Sequence, residues 1–144
     1  MVTNGKYKFF TCSYDEYSCN TYSFDGKYVL VAGNGSLYVK AFNGKFDAYQ
    51  RTYAIKCNSN LFASIYLSCL SKLESLRKKA NGSIVKFIKI GMINEIDIPI
   101  FDENKQKELN QLLDLILVAY KENEFLYKVL KESAENLLAE QFIL

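Results

Sequence analysis

The chain has 144 residues, 49% of them hydrophobic and 24% charged, the proportions of a folded domain and not of a disordered tail. At about 150 residues per domain, that length holds one domain with at most one appended element. There are 18 Lys and Arg, 16 Asp and Glu and no His, so Ser-His-Asp triads, Cys-His dyads, HExxH zinc helices and an imidazole base are all excluded. The net charge of +2 hides an asymmetry: residues 1–80 carry eleven basic and five acidic side chains, and residues 81–144 carry seven and eleven. A basic front half is the footprint expected of phosphate-backbone contact, although a solvated surface reads the same way on charge alone. Cys12, Cys19, Cys57 and Cys69 lack CxxC spacing and are expected to be buried free thiols, with no metal site. No signal-peptide pattern or apolar run of about 18 residues is found, which makes the cytoplasm the expected compartment.

The first 57 residues are written in short β segments punctuated by glycine. Asn4-Gly5, Asp25-Gly26 and Asn43-Gly44 each precede a Lys and an aromatic, and such dipeptides favour tight hairpin turns. Strands are expected at about 6–12, 27–32, 36–41 and 51–57, the second and third joined across Gly33-Asn34-Gly35. From 60 to 79 the period changes to three and four, with Phe62, Ile65, Tyr66, Cys69, Leu70, Leu73 and Leu76 on one face. That is an amphipathic helix covering a sheet, with Asn58 or Ser59 available to cap it. Its closing Arg77-Lys78-Lys79 complements the helix dipole or reaches a phosphate. Two short alternating segments, about 84–90 and 93–98, are expected to come next and to close at Pro99.

Beyond Pro99 the pattern predicts one helix from about 103 to 143, roughly 60 Å long at 1.5 Å per residue. With Leu109 at heptad position a, the seam includes Leu112, Ile116, Asn123, Leu126, Leu130 and Leu137. A compact domain of this size cannot cover such a stripe, so a partner helix is implied, and Asn123 has the character of a register-fixing polar residue in a coiled coil. The expected architecture is α+β: a β-rich domain with a covering helix over 1–100, then a spacer or dimerisation helix over 101–144 that pairs as an antiparallel coiled coil.

Several stretches, in order, are similar to a known family. Gly5-Lys6-Tyr7-Lys8-Phe9-Phe10-Thr11-Cys12-Ser13, Ser23-Phe24-Asp25-Gly26 through Val29-Leu30-Val31-Ala32 to Gly33-Asn34-Gly35, Phe42-Asn43-Gly44-Lys45-Phe46 and Ala48-Tyr49-Gln50-Arg51-Thr52-Tyr53 resemble the target recognition domain of type I restriction-modification specificity subunits. Asn81-Gly82-Ser83, Ile96-Asp97-Ile98-Pro99 and the Gln106-bearing start of the last helix resemble that family's closing strand and spacer helix. Three departures stand out. Lys8 occupies a place where Pro is commoner, and the opening strand and helix and the second recognition domain of full members have no counterpart, so the sequence looks like an N-terminally truncated half-subunit.

The resemblance implies a non-catalytic subunit that reads one half of a split double-stranded DNA site and docks methyltransferase subunits, with the restriction subunit joining in the full complex. S-adenosylmethionine and ATP with Mg would be bound by those partners, and the subunit itself would need no cofactor. Base edges and phosphates call for amide, guanidinium and ammonium groups. Gln50 and Arg51 are the expected base readers, with Tyr49 beside them, Lys40 and Lys45 the expected phosphate contacts, and Asn34 an approach point for backbone N–H groups. The competing expectation is an interaction protein that binds no DNA and dimerises through its C-terminal helix.

Overall fold

A computed structural model describes residues 1–80 and 87–142. Five strands, β1 (Tyr7–Phe10), β2 (Tyr17–Cys19), β3 (Phe24–Ala32), β4 (Val39–Ala48) and β5 (Thr52–Lys56), are followed by helices α1 (Phe62–Ala80), α2 (Ile90–Asn94) and α3 (Glu103–Phe142). The strands form one mixed sheet in the order β2-β1-β4-β3-β5, with β1 and β4 parallel and the other neighbours antiparallel. The architecture is α+β. The chain divides into two units, Met1–Asn110 and Gln111–Leu144, a boundary ten residues later than the one expected from Pro99.

The sheet is sharply coiled, and its register shows why. Phe46 pairs with Phe24, and only six residues later Thr52 pairs with Ala32. At about 3.3 Å per residue that link reaches about 20 Å, whereas β3 from Phe24 to Ala32 would measure about 26 Å if straight. The long β3–β4 ribbon therefore bends until its tip approaches its base, where the tip's Ser36 N–H donates to the Cys12 carbonyl at 2.9 Å, just beyond the end of β1.

Glycine supplies the bend. Gly26 (φ +128°) and Gly44 (φ +149°) face each other across the β3–β4 ladder, both in backbone conformations that side chains rarely tolerate. The sequence expectation of two hairpin turns at Asp25-Gly26 and Asn43-Gly44 is corrected here: the same positive φ coils a ribbon instead of reversing a chain. The reversal between β3 and β4 lies at Asn34–Leu37, where the Leu37 N–H donates to Asn34 O at 3.3 Å and Gly35 has φ +61°. Gly35 is also sterically required, because a Cβ there would meet Cys12 O at 2.8 Å.

Coiling lets one sheet face bury itself. Phe46 is fully buried, stacked on Phe24 at 4.9 Å and edge-on to Phe10, Tyr28 and Phe42 at 5.2 to 5.5 Å. Such ring pairs add about 0.5–1.5 kcal/mol each beyond their buried area, which explains how an aromatic-rich chain without Trp builds a small, dense core. By the two-residue alternation, Val29 and Val31 point to the opposite face, where α1 packs on β3 and β4. Phe62, Cys69, Leu73 and Leu76 of α1 are buried as its periodicity predicts, but Leu70 is 41% exposed and Ser64 and Ser68 are buried in its place.

Asn58 caps no helical N–H; its Oδ1 accepts from Asn60 N in a local turn. The N-terminal amide of Ala63 is met instead by Oδ1 of Asn110 at 2.9 Å, while Asn110 Nδ2 donates to Asn60 O at 2.9 Å. This remote cap draws the first two turns of α3 into the front unit and accounts for the later boundary. Asp102 caps α3 itself, its Oδ1 accepting from Lys105 N at 2.9 Å.

Residues 84–86 of the first expected alternating segment lie outside the described residues, and Phe87 makes an isolated bridge with Asn34. The strand expected at 93–98 is not formed. Residues 90–94 make a short helix with Ile93 buried, and Ile96 to Ile98 alternate in burial but pair with no strand among the described residues. Within α3, Leu112, Ile116, Leu126 and Leu130 are 54–67% exposed, Asn123 is exposed and Leu109 is half-buried. The Leu137 side chain lies outside the described residues. A second row of exposed apolar groups, Val118, Phe125 and Val129, runs beside that seam.

Candidate nucleic-acid interface

Three chain segments meet around Gly33, at the tip of the coiled ribbon. The Gly33 N–H donates to Arg51 O at 2.8 Å, and Gly33 O accepts from Ile88 N at 2.6 Å. A Cβ on residue 33 would stand 2.6 Å from Arg51 O and 2.9 Å from the Tyr53 ring, so only glycine allows this approach. Asn34 is next in sequence, half-buried and bridged to Phe87. Tyr49, Gln50 and Arg51 form the exposed β4–β5 link, pinned by Tyr49 N to Phe10 O at 2.8 Å and Thr52 N to Tyr49 O at 2.9 Å. The main chain of this link is thus rigid while its side chains are open, which suits groups that must present hydrogen bonds in a fixed geometry.

Two buried side chains support the site from beneath. Cys12 Sγ lies 3.4 Å from Arg51 O and 3.7 Å from Thr52 Oγ1, and the Tyr38 hydroxyl donates to Thr11 O. Burial, helped by Cys12 and opposed by a hydrogen bond with Thr52, pushes the Tyr38 phenol up to about 12. Burial likewise pushes the Cys57 and Cys69 thiols up to about 11, with a backbone bond at Val29 opposing it for Cys57. All four cysteines are buried and free, and no group of side chains among the described residues could hold a metal ion.

The structure brings together Asn34, Tyr49, Gln50 and Arg51 but does not place the two lysines with them. Lys40 is half-buried, its Nζ 4.5 Å from the Tyr38 ring centroid and 5.8 Å from that of Phe10, and it lines a shallow hollow with Lys8, Asp15, Glu16 and Tyr17. Lys45 faces Asp25 across the β3–β4 ladder and lies 4.9 Å over Tyr22, whose ring meets Tyr7 at 5.0 Å. Lys6 sits 5.5 Å over Tyr7, so these residues form a separate basic and aromatic cluster.

Arg77 lies in the last turn of α1, where its charge complements the helix dipole, but it does not stand free for a phosphate. Its guanidinium bonds Glu74 at 2.7 Å and the Tyr14 hydroxyl at 3.1 Å. Sequence reading missed Tyr14, Phe87 and Lys89 at this end of the sheet. Phe87 and Lys89 reach Gly33 from more than 50 positions away, and no local spacing signals such an approach.

No family model matches the chain. Over 114 residues, 79% of its length, it is 33% identical to the type I restriction enzyme EcoDI specificity subunit of Escherichia coli, of which it covers 26%. Its fold matches the crystal structure of a type I restriction-modification S subunit from M. genitalium with a TM-score of 0.71 and 18% identity, over 90% of this chain and 36% of that one. The chain thus spans about a quarter of the curated relative's length. No helix among the described residues is long and apolar enough to cross a membrane. In sequence the chain is similar to a type I restriction enzyme specificity subunit, and its fold is that of a type I restriction-modification S subunit.

Proposed function

We propose that the chain is a DNA-reading element of a type I restriction-modification system, recognising one half of a split duplex site through Tyr49, Gln50 and Arg51. The observation that carries this reading is the convergence of that link with Asn34 on the main chain of Gly33. An amide that pairs with adenine and a guanidinium that pairs with guanine stand together on a fixed backbone at the exposed rim of a coiled sheet. Lys40 and Lys45, set apart from this rim, serve as phosphate contacts along the flanks and set position without reading sequence.

The subunit performs no catalysis and holds no cofactor; methyl transfer with S-adenosylmethionine and ATP-driven cleavage with Mg belong to methyltransferase and restriction partners. The exposed seam of α3 supports a helical partner, antiparallel in a homodimer, and the parallel row of Val118, Phe125 and Val129 gives a methyltransferase subunit a second face to dock on. The exposed seam also favours a second reading, in which the helix alone accounts for the protein as a dimerising interaction module with no DNA contact.

Titrating a randomised duplex library with the chain assembled with a methyltransferase subunit, at low and moderate salt, separates the two. Enrichment of a defined half-site, relaxed at one base in Arg51→Ala, is the expected result. Dimers that select no sequence at either salt would refute DNA reading in favour of the interaction module.

A further inference from the structure

Phe87 and Lys89 lie outside the base-reading link, yet the chain is built to fix them. Between them Ile88 is 2% exposed, its N–H bonded to Gly33 O at 2.6 Å and its carbonyl accepting from the Tyr53 hydroxyl at 2.8 Å. The first of these bonds sets Phe87 opposite Asn34 in an antiparallel bridge. In an extended segment, side chains alternate, so anchoring Ile88 inward turns both neighbours outward. Phe87 is 37% exposed, Lys89 is exposed, and Lys89 Nζ lies 5.5 Å from the Phe87 ring centroid. The ring restrains an ammonium that would otherwise sweep freely on four methylenes.

Building on the DNA-reading proposal above, we infer that Lys89, steadied by Phe87, is a phosphate clamp for duplex DNA next to the base contacts of Arg51. Arg51 and Ile88 both bond the main chain of Gly33, which puts their backbones within about two strand spacings, roughly 10 Å. Along duplex DNA at about 3.4 Å per base pair, that span covers about three base pairs. The clamp therefore grips the backbone close to the base that Arg51 reads. A phosphate contact carries no sequence information, so Lys89 sets register and affinity while preference stays with Gln50 and Arg51.

The test is the salt dependence of duplex binding by the chain assembled with its methyltransferase subunit, for wild type, Lys89→Gln, Lys89→Arg and Arg51→Ala. Removing one phosphate contact lowers the slope of log K against log salt by about 0.9. Lys89→Gln should show that drop with the preferred half-site unchanged, and Lys89→Arg should restore the wild-type slope. An unchanged slope in Lys89→Gln, in a complex whose preference is still altered by Arg51→Ala, overturns the clamp and leaves the DNA-reading proposal standing. Absence of any sequence preference in the wild-type complex overturns both. Lys89 is exposed, so its replacement leaves folding intact.

Discussion

Gly33→Ala tests whether the rim is held by the close approach of three backbones. The added methyl would stand 2.6 Å from Arg51 O, 2.9 Å from the Tyr53 ring and 3.5 Å from Ile88 O. Two of those neighbours are main-chain oxygens and cannot swing away, so the segments must separate. That strains the hydrogen bonds Gly33 N to Arg51 O and Ile88 N to Gly33 O. Two such bonds are worth about 1–3 kcal/mol together, and overpacking adds about 1–3 kcal/mol, so a net loss of about 2–4 kcal/mol is expected after partial relaxation. With a urea m-value of about 1.5 kcal/mol/M, the midpoint falls by about 1.3–2.7 M. Gly91→Ala is the internal control: it lies in α2, nothing stands within 4 Å of its added Cβ, and helix propensity makes it stabilising by about 0.5–1 kcal/mol. Equal midpoints for the two variants would refute the close-approach argument.

Phe46→Ala should cost about 3–5 kcal/mol in urea denaturation, because four rings surround this fully buried side chain. Asn110→Ala removes the cap on Ala63 and should cost about 0.5–2 kcal/mol, with the amides at the start of α1 exchanging faster than those at its centre. Arg51→Ala should weaken specific binding by about 1–3 kcal/mol and relax the preference at one base; a uniform loss over all sequences would reassign Arg51 to a phosphate. The contribution of Cys57, Cys69 and Tyr38 to stability should be complete below about pH 9 and be lost above it. The Cys57 and Cys69 thiols ionise from 9 when unfolded and about 11 when folded, and Tyr38 from 10 and about 12, so the unfolded chain sheds its protons first. A double Cys57→Ser, Cys69→Ser variant that retained the full fall between pH 9 and 11 would contradict that assignment.

How much the sequence tells depends on the range of each interaction. The period of three and four in Phe62, Cys69, Leu73 and Leu76 is a local signal, and α1 lies where it points. The 40-residue α3 was legible for the same reason. Asp25-Gly26 and Asn43-Gly44 misled because a positive φ serves a bend as well as a turn, and only the pairing of Gly26 with Gly44 separates the two. Ile96 to Ile98 alternate like a strand, yet an alternating segment becomes one only where a neighbour offers a ladder. At the rim, Gln50 and Arg51 are candidates by side-chain type, and the structure shows them exposed in the β4–β5 link. Their neighbour Lys89 is no such candidate, because the Gly33–Ile88 contact spans 55 positions and leaves no trace in local spacing.

The facing glycines of β3 and β4 have a bearing on how the rim can diversify. Curvature here resides in the backbone of the ribbon, so the scaffold asks nothing of the side chains at positions 34, 50, 51 and 89. Those positions can exchange amide for guanidinium, or lengthen and shorten, while the aromatic interior keeps its shape. If the rim reads DNA as proposed, a new target sequence becomes reachable by a handful of rim substitutions, with no redesign beneath them.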